Sequence, residues 1–137
     1  MVKVQVTYTG ELGCEAVHGP SQAQLRTDAP VDNQGRGASY SPTDLVATAL
    51  GTCMLTIMGI KARDHGWAIE GSTATVVKHM VAAPVRRIGK LEVVIEVAGS
   101  GHDERARKVL EGAAMACPVK QSLHSDMEIA VELRFAD

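Results

Sequence analysis

The sequence predicts a single α+β domain whose elements follow the order βββ-α-ββ-α-β. Three features of the pattern support this class. Apolar and polar residues alternate near both ends of the sequence, which is the period of a strand with one buried face. A continuous apolar run of helical length lies between these ends, and a second run with helical spacing follows it.

Three short strands are predicted ahead of the first helix. In the first strand, polar residues alternate with four apolar ones that should form a buried face: Val2, Val4, Val6 and Tyr8. Two shorter strands are expected around residues 14–18 and 22–27, which would complete an antiparallel meander. Residues 28–40 are rich in Gly, Pro, Asn and Asp, and this composition predicts an ordered loop.

The first helix is predicted from Pro42 to about Asp64. Ser41 is a suitable N-cap, Pro42 suits the first helical position, and Asp44 can complete a capping box. The uncharged part of this helix, residues 45–60, is shorter than the ~20 residues that cross a bilayer. Its apolar residues cover almost the whole circumference, so the helix should be surrounded by protein: Leu45, Val46, Ala49, Leu50, Cys53, Met54, Ile57, Met58 and Ile60.

The second half of the sequence predicts a hairpin, a helix and a final strand. Residues 71–81 and 88–98 read as two strands joined by a turn. A helix is expected over residues 103–116, and Pro118 should bend or restart it just after Cys117. Residues 127–135 alternate apolar and polar side chains, which predicts a strand with one buried face.

Length and composition are those of one ordinary globular domain, residues 1–137. The chain is 45% hydrophobic and 22% charged, with a formal net charge of -2. Because no large basic field is present, we expect neither a nucleic acid nor an anionic membrane as a partner. The first residues lack the apolar block of a signal peptide, so the expected location is the cytoplasm.

The three cysteines are the candidates for chemistry, because cytoplasmic thiols are more often free, catalytic or metal-binding than structural disulfides. The sequence has no CxxC and no HxxxH, so a metal is the weaker option. No cofactor is predicted. Cys53 on an apolar helix is by itself more often packing than a nucleophile. Cys117 follows small residues that allow close helix approach, so the two thiols could meet.

Two motifs in the chain resemble those of a known family. The run Ser41-Pro42-Thr43-Asp44-Leu45, with Thr52-Cys53 further along the same helix, is similar to the first cysteine helix of the OsmC/Ohr family. The run Ala116-Cys117-Pro118-Val119 is similar to the second cysteine motif of that family. The likeness extends over the whole chain and includes the order of the elements.

The resemblance implies an OsmC-like fold, with antiparallel sheets packed around two central helices in an intertwined homodimer. It also implies that organic hydroperoxides, and less readily hydrogen peroxide, are reduced. In this scheme Cys53 attacks the peroxide and becomes a sulfenic acid, and Cys117 condenses with it to a disulfide. A dithiol reductant, such as a lipoylated protein, then reduces the disulfide.

The family also uses an arginine to hold the thiolate and a glutamate to orient that arginine. By resemblance Arg36 is our candidate for the arginine, and Arg26 is a weaker alternative. Thr43 stands where the peroxidase branches tend to carry the glutamate. The nearest acid, Asp44, is either a capping residue or a partner of Arg36 across the dimer. Cys14 has no counterpart in the family and should be a spectator.

Two other functions stay open at this point. The first is a small-molecule binding or stress-adaptor protein of the same fold, which the replacement of the glutamate by Thr43 favours. The second is a thiol enzyme in which Cys53 attacks an electrophile other than a peroxide.

Overall fold

A computed structural model of the chain describes residues 1–136 and confirms the α+β class and the order of the elements. Between the last two predicted elements the chain forms one additional short helix. The strands and helices are β1 Val4–Gly10, β2 Gly13–His18, β3 Gln24–Asp28, α1 Pro42–His65, β4 Thr73–Val81, β5 Arg87–Val97, α2 Glu104–Met115, α3 Pro118–Ser122 and β6 Glu128–Phe135.

The chain forms two compact units, the first ending at Val46 and the second beginning at Ala47. The first unit contains β1, β2 and β3, the loop that follows them and the first turn of α1. The second unit contains the rest of α1 and all later elements. The expectation of one domain over residues 1–137 stays a prediction.

The first unit contains an antiparallel sheet in the order β1-β2-β3. The expected buried face of β1 is wrong for the single chain, because Val4, Val6 and Tyr8 are 55%, 62% and 65% exposed. The alternation itself is present, but one layer of three strands has no second layer to cover its apolar face. The unit therefore exposes an apolar sheet face.

The loop after β3 is ordered by its own backbone, as its composition predicts. Residues Val31–Asn33 form one turn of 3-10 helix, and the Gly35 N–H donates to the Pro30 carbonyl at 2.9 Å. A Cβ on Gly35 would overlap the carbonyl oxygen of Ala29, so only glycine fits this turn. The fold of the loop brings Arg36 back beside the end of β3.

Helix α1 buries one stripe, and the prediction that protein surrounds it is wrong for the single chain. The buried stripe consists of Ala47, Leu50, Gly51, Met54, Met58 and Ala62. The opposite side is exposed and consists of Thr48, Thr52, Thr56 and Ile60. The reason is that one sheet in the second unit covers one side of a helix. By length and composition alone, with a mean hydropathy of 1.6, α1 could also cross a membrane.

The sheet of the second unit has the order β4-β5-β6 and is mixed, which corrects the expectation of purely antiparallel sheets. Strands β4 and β5 form the predicted antiparallel hairpin. Strand β6 pairs with β5 in parallel, with Leu91 opposite Ile129. The helical connection through α2 and α3 explains the direction, because such a crossover returns the chain for a parallel strand. Strand β6 alternates half-buried and exposed residues as predicted.

The core of the second unit is built from α1, β5 and α2. Its largest fully buried side chains are Leu50, Met54, Met58, Leu91, Ile95 and Leu110. Gly51 lets α1 approach β4 closely, because a Cβ at this position would lie 3.0 Å from Val76 Cγ2 and 3.6 Å from Ala74 Cβ. This approach fixes the depth of α1 on the sheet two residues before Cys53.

Replacing Gly51 with alanine should therefore destabilise the protein, since the Val76 side chain must shift to admit the new methyl group and this cost should exceed the helix-propensity gain of alanine. We expect the free energy of unfolding to fall by about 1–3 kcal/mol in urea denaturation. Gly112→Ala is the matched control, because Gly112 is exposed on α2 and its added Cβ would meet nothing within 4 Å. Alanine there should stabilise the helix by up to ~1 kcal/mol. Equal losses in both variants would contradict the close packing.

Candidate active site

The start of α1 is fixed by the predicted capping box. The Asp44 N–H donates to Ser41 Oγ at 3.1 Å, and the Ser41 N–H donates to Asp44 Oδ2 at 2.8 Å. Thr43 Oγ1 lies 3.1 Å from the same Ser41 hydroxyl. The capping role of Asp44 is thus confirmed, and Thr43 belongs to the same polar cluster. This cap sets the register that places Cys53 on the helix.

Cys53 lies at the edge of the buried stripe of α1 and is half-buried. It is about three turns from the N-terminus of the helix, at ~3.6 residues per turn. The favourable effect of the helix dipole on an anion fades within the first turn. A thiolate at Cys53 therefore needs a donor or a cation from another part of the protein.

Cys117 occupies the break between α2 and α3. The Cys117 N–H donates to the Ala114 carbonyl at 3.3 Å, and Pro118 begins the next helix. Cys117 is the N-cap of α3, because its Sγ accepts a hydrogen bond from the Lys120 N–H at 3.3 Å. Its side chain is completely buried. The proline break thus turns a cysteine at the end of one helix into the cap of the next.

The two cysteines are neighbours, since the side chain of Cys53 is close enough to influence the pKa of Cys117. Burial raises the pKa of the Cys117 thiol, and the neighbouring Cys53 raises it further. The backbone N–H groups of Lys120 and Val119 oppose this rise in pKa without cancelling it. Cys117 is therefore held as a protonated thiol beside Cys53. A half-buried sulfur beside a buried one is a suitable dithiol-disulfide pair.

Arg36 is paired with a residue that the sequence did not single out, Asp28. Arg36 Nε lies 3.6 Å from Asp28 Oδ2, and the side chain of Arg36 is 72% exposed while that of Asp28 is 4% exposed. The only signal in the sequence was an acid at the end of a strand, ahead of a turn-rich loop. That signal is also typical of an ordinary turn residue.

The two remaining candidates, Arg26 and Cys14, lie on β3 and β2. Arg26 pairs with Glu15 across two strands, with Arg26 Nη2 2.8 Å from Glu15 Oε1, and both side chains are largely exposed. Cys14 is half-buried on β2, opposite Tyr8 and Thr27. The roles assigned to Arg36, Arg26 and Cys14 stay predictions. Within residues 1–136, no group of three or more His, Cys, Asp or Glu side chains is arranged to hold a metal ion.

Comparison with protein families finds one match, to the family described as OsmC-like protein, over residues 35–132 of the chain. The matched range includes both Cys53 and Cys117, while Asp28 lies just outside it. A comparison with curated protein sequences found no match.

Solved structures are similar over nearly the whole chain. A Psychrobacter arcticus protein, ascribed to the osmotic stress induced and detoxification response, is 45% identical with a TM-score of 0.91, covering 98% of this chain and 96% of that chain. The organic hydroperoxide resistance protein OsmC of Legionella pneumophila is 15% identical with a TM-score of 0.75, covering 100% and 97%. OhrB of Bacillus subtilis is 15% identical with a TM-score of 0.69, covering 98% of both chains. The last two likenesses concern the fold alone.

The raised pKa of Cys117 should make stability depend on pH in alkaline solution. The buried thiol favours its protonated form, so its contribution is complete below the pKa of an unfolded thiol, about 8.5, and is lost as pH rises through the higher native pKa. The free energy of unfolding of the reduced protein should therefore fall with rising pH more steeply than that of Cys117→Ser. Urea denaturation across this range measures the difference. Parallel slopes would contradict the assignment.

Proposed function

We propose a function for this chain from one premise: the chain belongs to the family of OsmC-like proteins. The function is the reduction of organic hydroperoxides, and less readily of hydrogen peroxide, by the pair Cys53 and Cys117, in defence against oxidative stress in the cytoplasm. The observation that carries the proposal is the proximity of these two side chains. Relatives of the same fold that are named organic hydroperoxide resistance proteins support it.

The first step is attack by the Cys53 thiolate on the outer oxygen of the hydroperoxide. A sulfur–oxygen bond forms, the oxygen–oxygen bond breaks, and the alkoxide takes a proton and leaves as an alcohol. Cys53 becomes a sulfenic acid. Because Cys53 is half-buried on a largely apolar helix, the surroundings favour an apolar peroxide and limit access of further oxidant.

Cys117 supplies the second step. Its sulfur attacks the Cys53 sulfenic acid, a disulfide forms, and the hydroxyl leaves as water together with the Cys117 proton. Burial keeps Cys117 protonated, so it does not compete for peroxide as a second thiolate. An external dithiol, such as that of a lipoylated protein, then returns two electrons and restores both thiols.

Arg36 is the proposed cation that stabilises the Cys53 thiolate. Support comes from the distance of Cys53 from its helix N-terminus and from the exposed guanidinium of Arg36. Asp44 caps the N-terminus of α1 by accepting from the Ser41 N–H. Its further proposed role is to pair with Arg36 across a dimer.

The test is the consumption of cumene hydroperoxide with dihydrolipoamide as reductant. We expect Cys53→Ser to reduce the rate to the uncatalysed level, because no other residue supplies the sulfenic acid. Cys14→Ser is the matched control and should retain the wild-type rate, since Cys14 lies on β2 outside the pair. Equal rates for Cys53→Ser and the wild type would rule the function out.

The proposed assembly is a homodimer in which a second copy covers the apolar face of β1. Val6→Lys should convert a dimer to a monomer, because it places a charge in the centre of the exposed face made by Val4, Val6 and Tyr8. Thr7→Lys is the matched control, since Thr7 lies on the other face of the same strand. Light scattering coupled to size exclusion reads the mass. A monomeric wild type would contradict the assembly.

A second function, binding of a small molecule without efficient peroxidase chemistry, is favoured by one observation. Thr43, which stands where the resemblance calls for a glutamate, is engaged with Ser41 and the helix cap. The two functions differ in disulfide formation after one equivalent of peroxide, as mapped by mass spectrometry. A Cys53–Cys117 disulfide supports the peroxidase and also argues against attack on another electrophile. Its absence supports the binding function.

A further inference from the structure

The two sulfurs of the candidate pair differ in how far a molecule from solvent can reach them. Cys117 is completely buried, whereas Cys53 is half-buried at the edge of the buried stripe of α1. A disulfide between them offers an incoming reductant two sulfur atoms, and exchange requires the attacking thiolate to approach one of them. The Cys53 sulfur is the one that can be approached while the fold stays closed.

The backbone around Cys117 holds its sulfur inside the protein. The Cys117 N–H donates to the Ala114 carbonyl at 3.3 Å, and the Gln121 N–H donates to the Cys117 carbonyl at 3.2 Å. The Cys117 Sγ accepts from the Lys120 N–H at 3.3 Å, which caps α3. Turning this sulfur towards solvent would therefore break the cap and disturb the junction of α2 and α3. Direct attack on Cys117 needs a local opening of the chain.

Two opposing effects decide how readily Cys117 can leave when Cys53 is attacked. The Lys120 N–H already donates to the Cys117 sulfur, so it can stabilise the negative charge that develops there. Burial raises the pKa of Cys117, and a thiol of higher pKa leaves more slowly. Access still favours Cys53 as the point of attack, because a poor leaving group slows the exchange whereas an enclosed sulfur prevents it.

We propose that the external dithiol attacks the disulfide at Cys53, so that a mixed disulfide forms on Cys53 and Cys117 leaves as the thiolate. The first thiolate of the reductant forms a sulfur–sulfur bond to Cys53, the bond between the two cysteines breaks, and the Cys117 sulfur takes a proton. This inference rests on the proposed function, which forms the disulfide that the reductant meets. It adds the order in which the two cysteines are released.

The second half of the exchange follows from the first. The remaining thiol of the reductant loses its proton and attacks the reductant sulfur of the mixed disulfide. The reductant closes its own disulfide, and Cys53 is released as the thiolate. Two electrons have then passed from the dithiol to the protein. Cys53 is thus returned in the form that attacks a peroxide, and Cys117 is returned in the protonated form.

The test is to trap the mixed disulfide and find the cysteine that carries it. The Cys14→Ser variant, which retains the two cysteines of the pair, is oxidised with diamide and treated briefly with the monothiol β-mercaptoethanol. Free thiols are then blocked with N-ethylmaleimide in mildly acidic guanidinium chloride, and the peptides are mapped by mass spectrometry. We expect β-mercaptoethanol on Cys53 and maleimide on Cys117. The reverse distribution would overturn the inference.

The matched control is the same oxidised variant treated with β-mercaptoethanol after unfolding in guanidinium chloride. Without the fold both sulfurs are accessible, so we expect the adduct on both Cys53 and Cys117. A preference for Cys53 that persists in the unfolded chain would also overturn the inference, because burial would then not be its cause.

A second measurement does not depend on trapping an intermediate. The rate of disulfide reduction by dithiothreitol is followed at rising urea concentrations below the unfolding transition. Attack on Cys53 needs no opening, so the rate should stay constant. Attack on Cys117 needs an opening that urea favours, so an exponential rise of the rate with urea would overturn the inference.

The use of diamide separates the inference from the proposed function. If diamide joins the two cysteines and the adduct lies on Cys53, but cumene hydroperoxide does not join them, the peroxidase function falls and the order of attack stands. If the peroxide is reduced but the adduct lies on Cys117, the inference alone falls. If neither oxidant joins Cys53 to Cys117, both fall.

Discussion

The proximity of Cys53 to Cys117 is the constraint on which the proposed chemistry depends, and several local features produce it. Gly51 lets α1 lie close to β4, which sets the depth of Cys53. The break at Pro118 places Cys117 in the cap of α3, where the Lys120 N–H fixes its sulfur. Their different burial then gives two chemically identical thiols different roles. The fully buried Cys117 stays protonated, while the half-buried Cys53 is partly accessible from solvent.

Much of the fold could be predicted because local signals are strong. The capping box at Ser41 fixes the start of α1, and the period of the final strand is visible in the sequence. The direction of β6 could not be read in this way, since strand polarity depends on the connection through α2 and α3. The predictions that β1 has a buried face and that α1 is buried all round were wrong for another reason. An apolar pattern shows which faces avoid water, but it does not show what covers them.

The candidate site was only partly visible in the sequence. The two cysteines carry motifs, so they could be found, and the structure brings them together. Asp28 could not be found, because its burial arises from the fold of a loop in which Gly35 and Ala38 close around it. An acid beside a turn has the same local sequence whether it is solvated or enclosed. Buried charges of this kind are recognised only when the tertiary contacts are known.

The exposed side of α1 has a property that its composition hides. The hydroxyls of Thr52 and Thr56 donate at 2.8 Å to carbonyls one turn earlier in the same helix. The donor of each hydroxyl is thus used within the helix. A layer placed over this side would displace water without stranding those donors. These two threonines are therefore less costly to dehydrate than hydroxyls whose donors bond only to water.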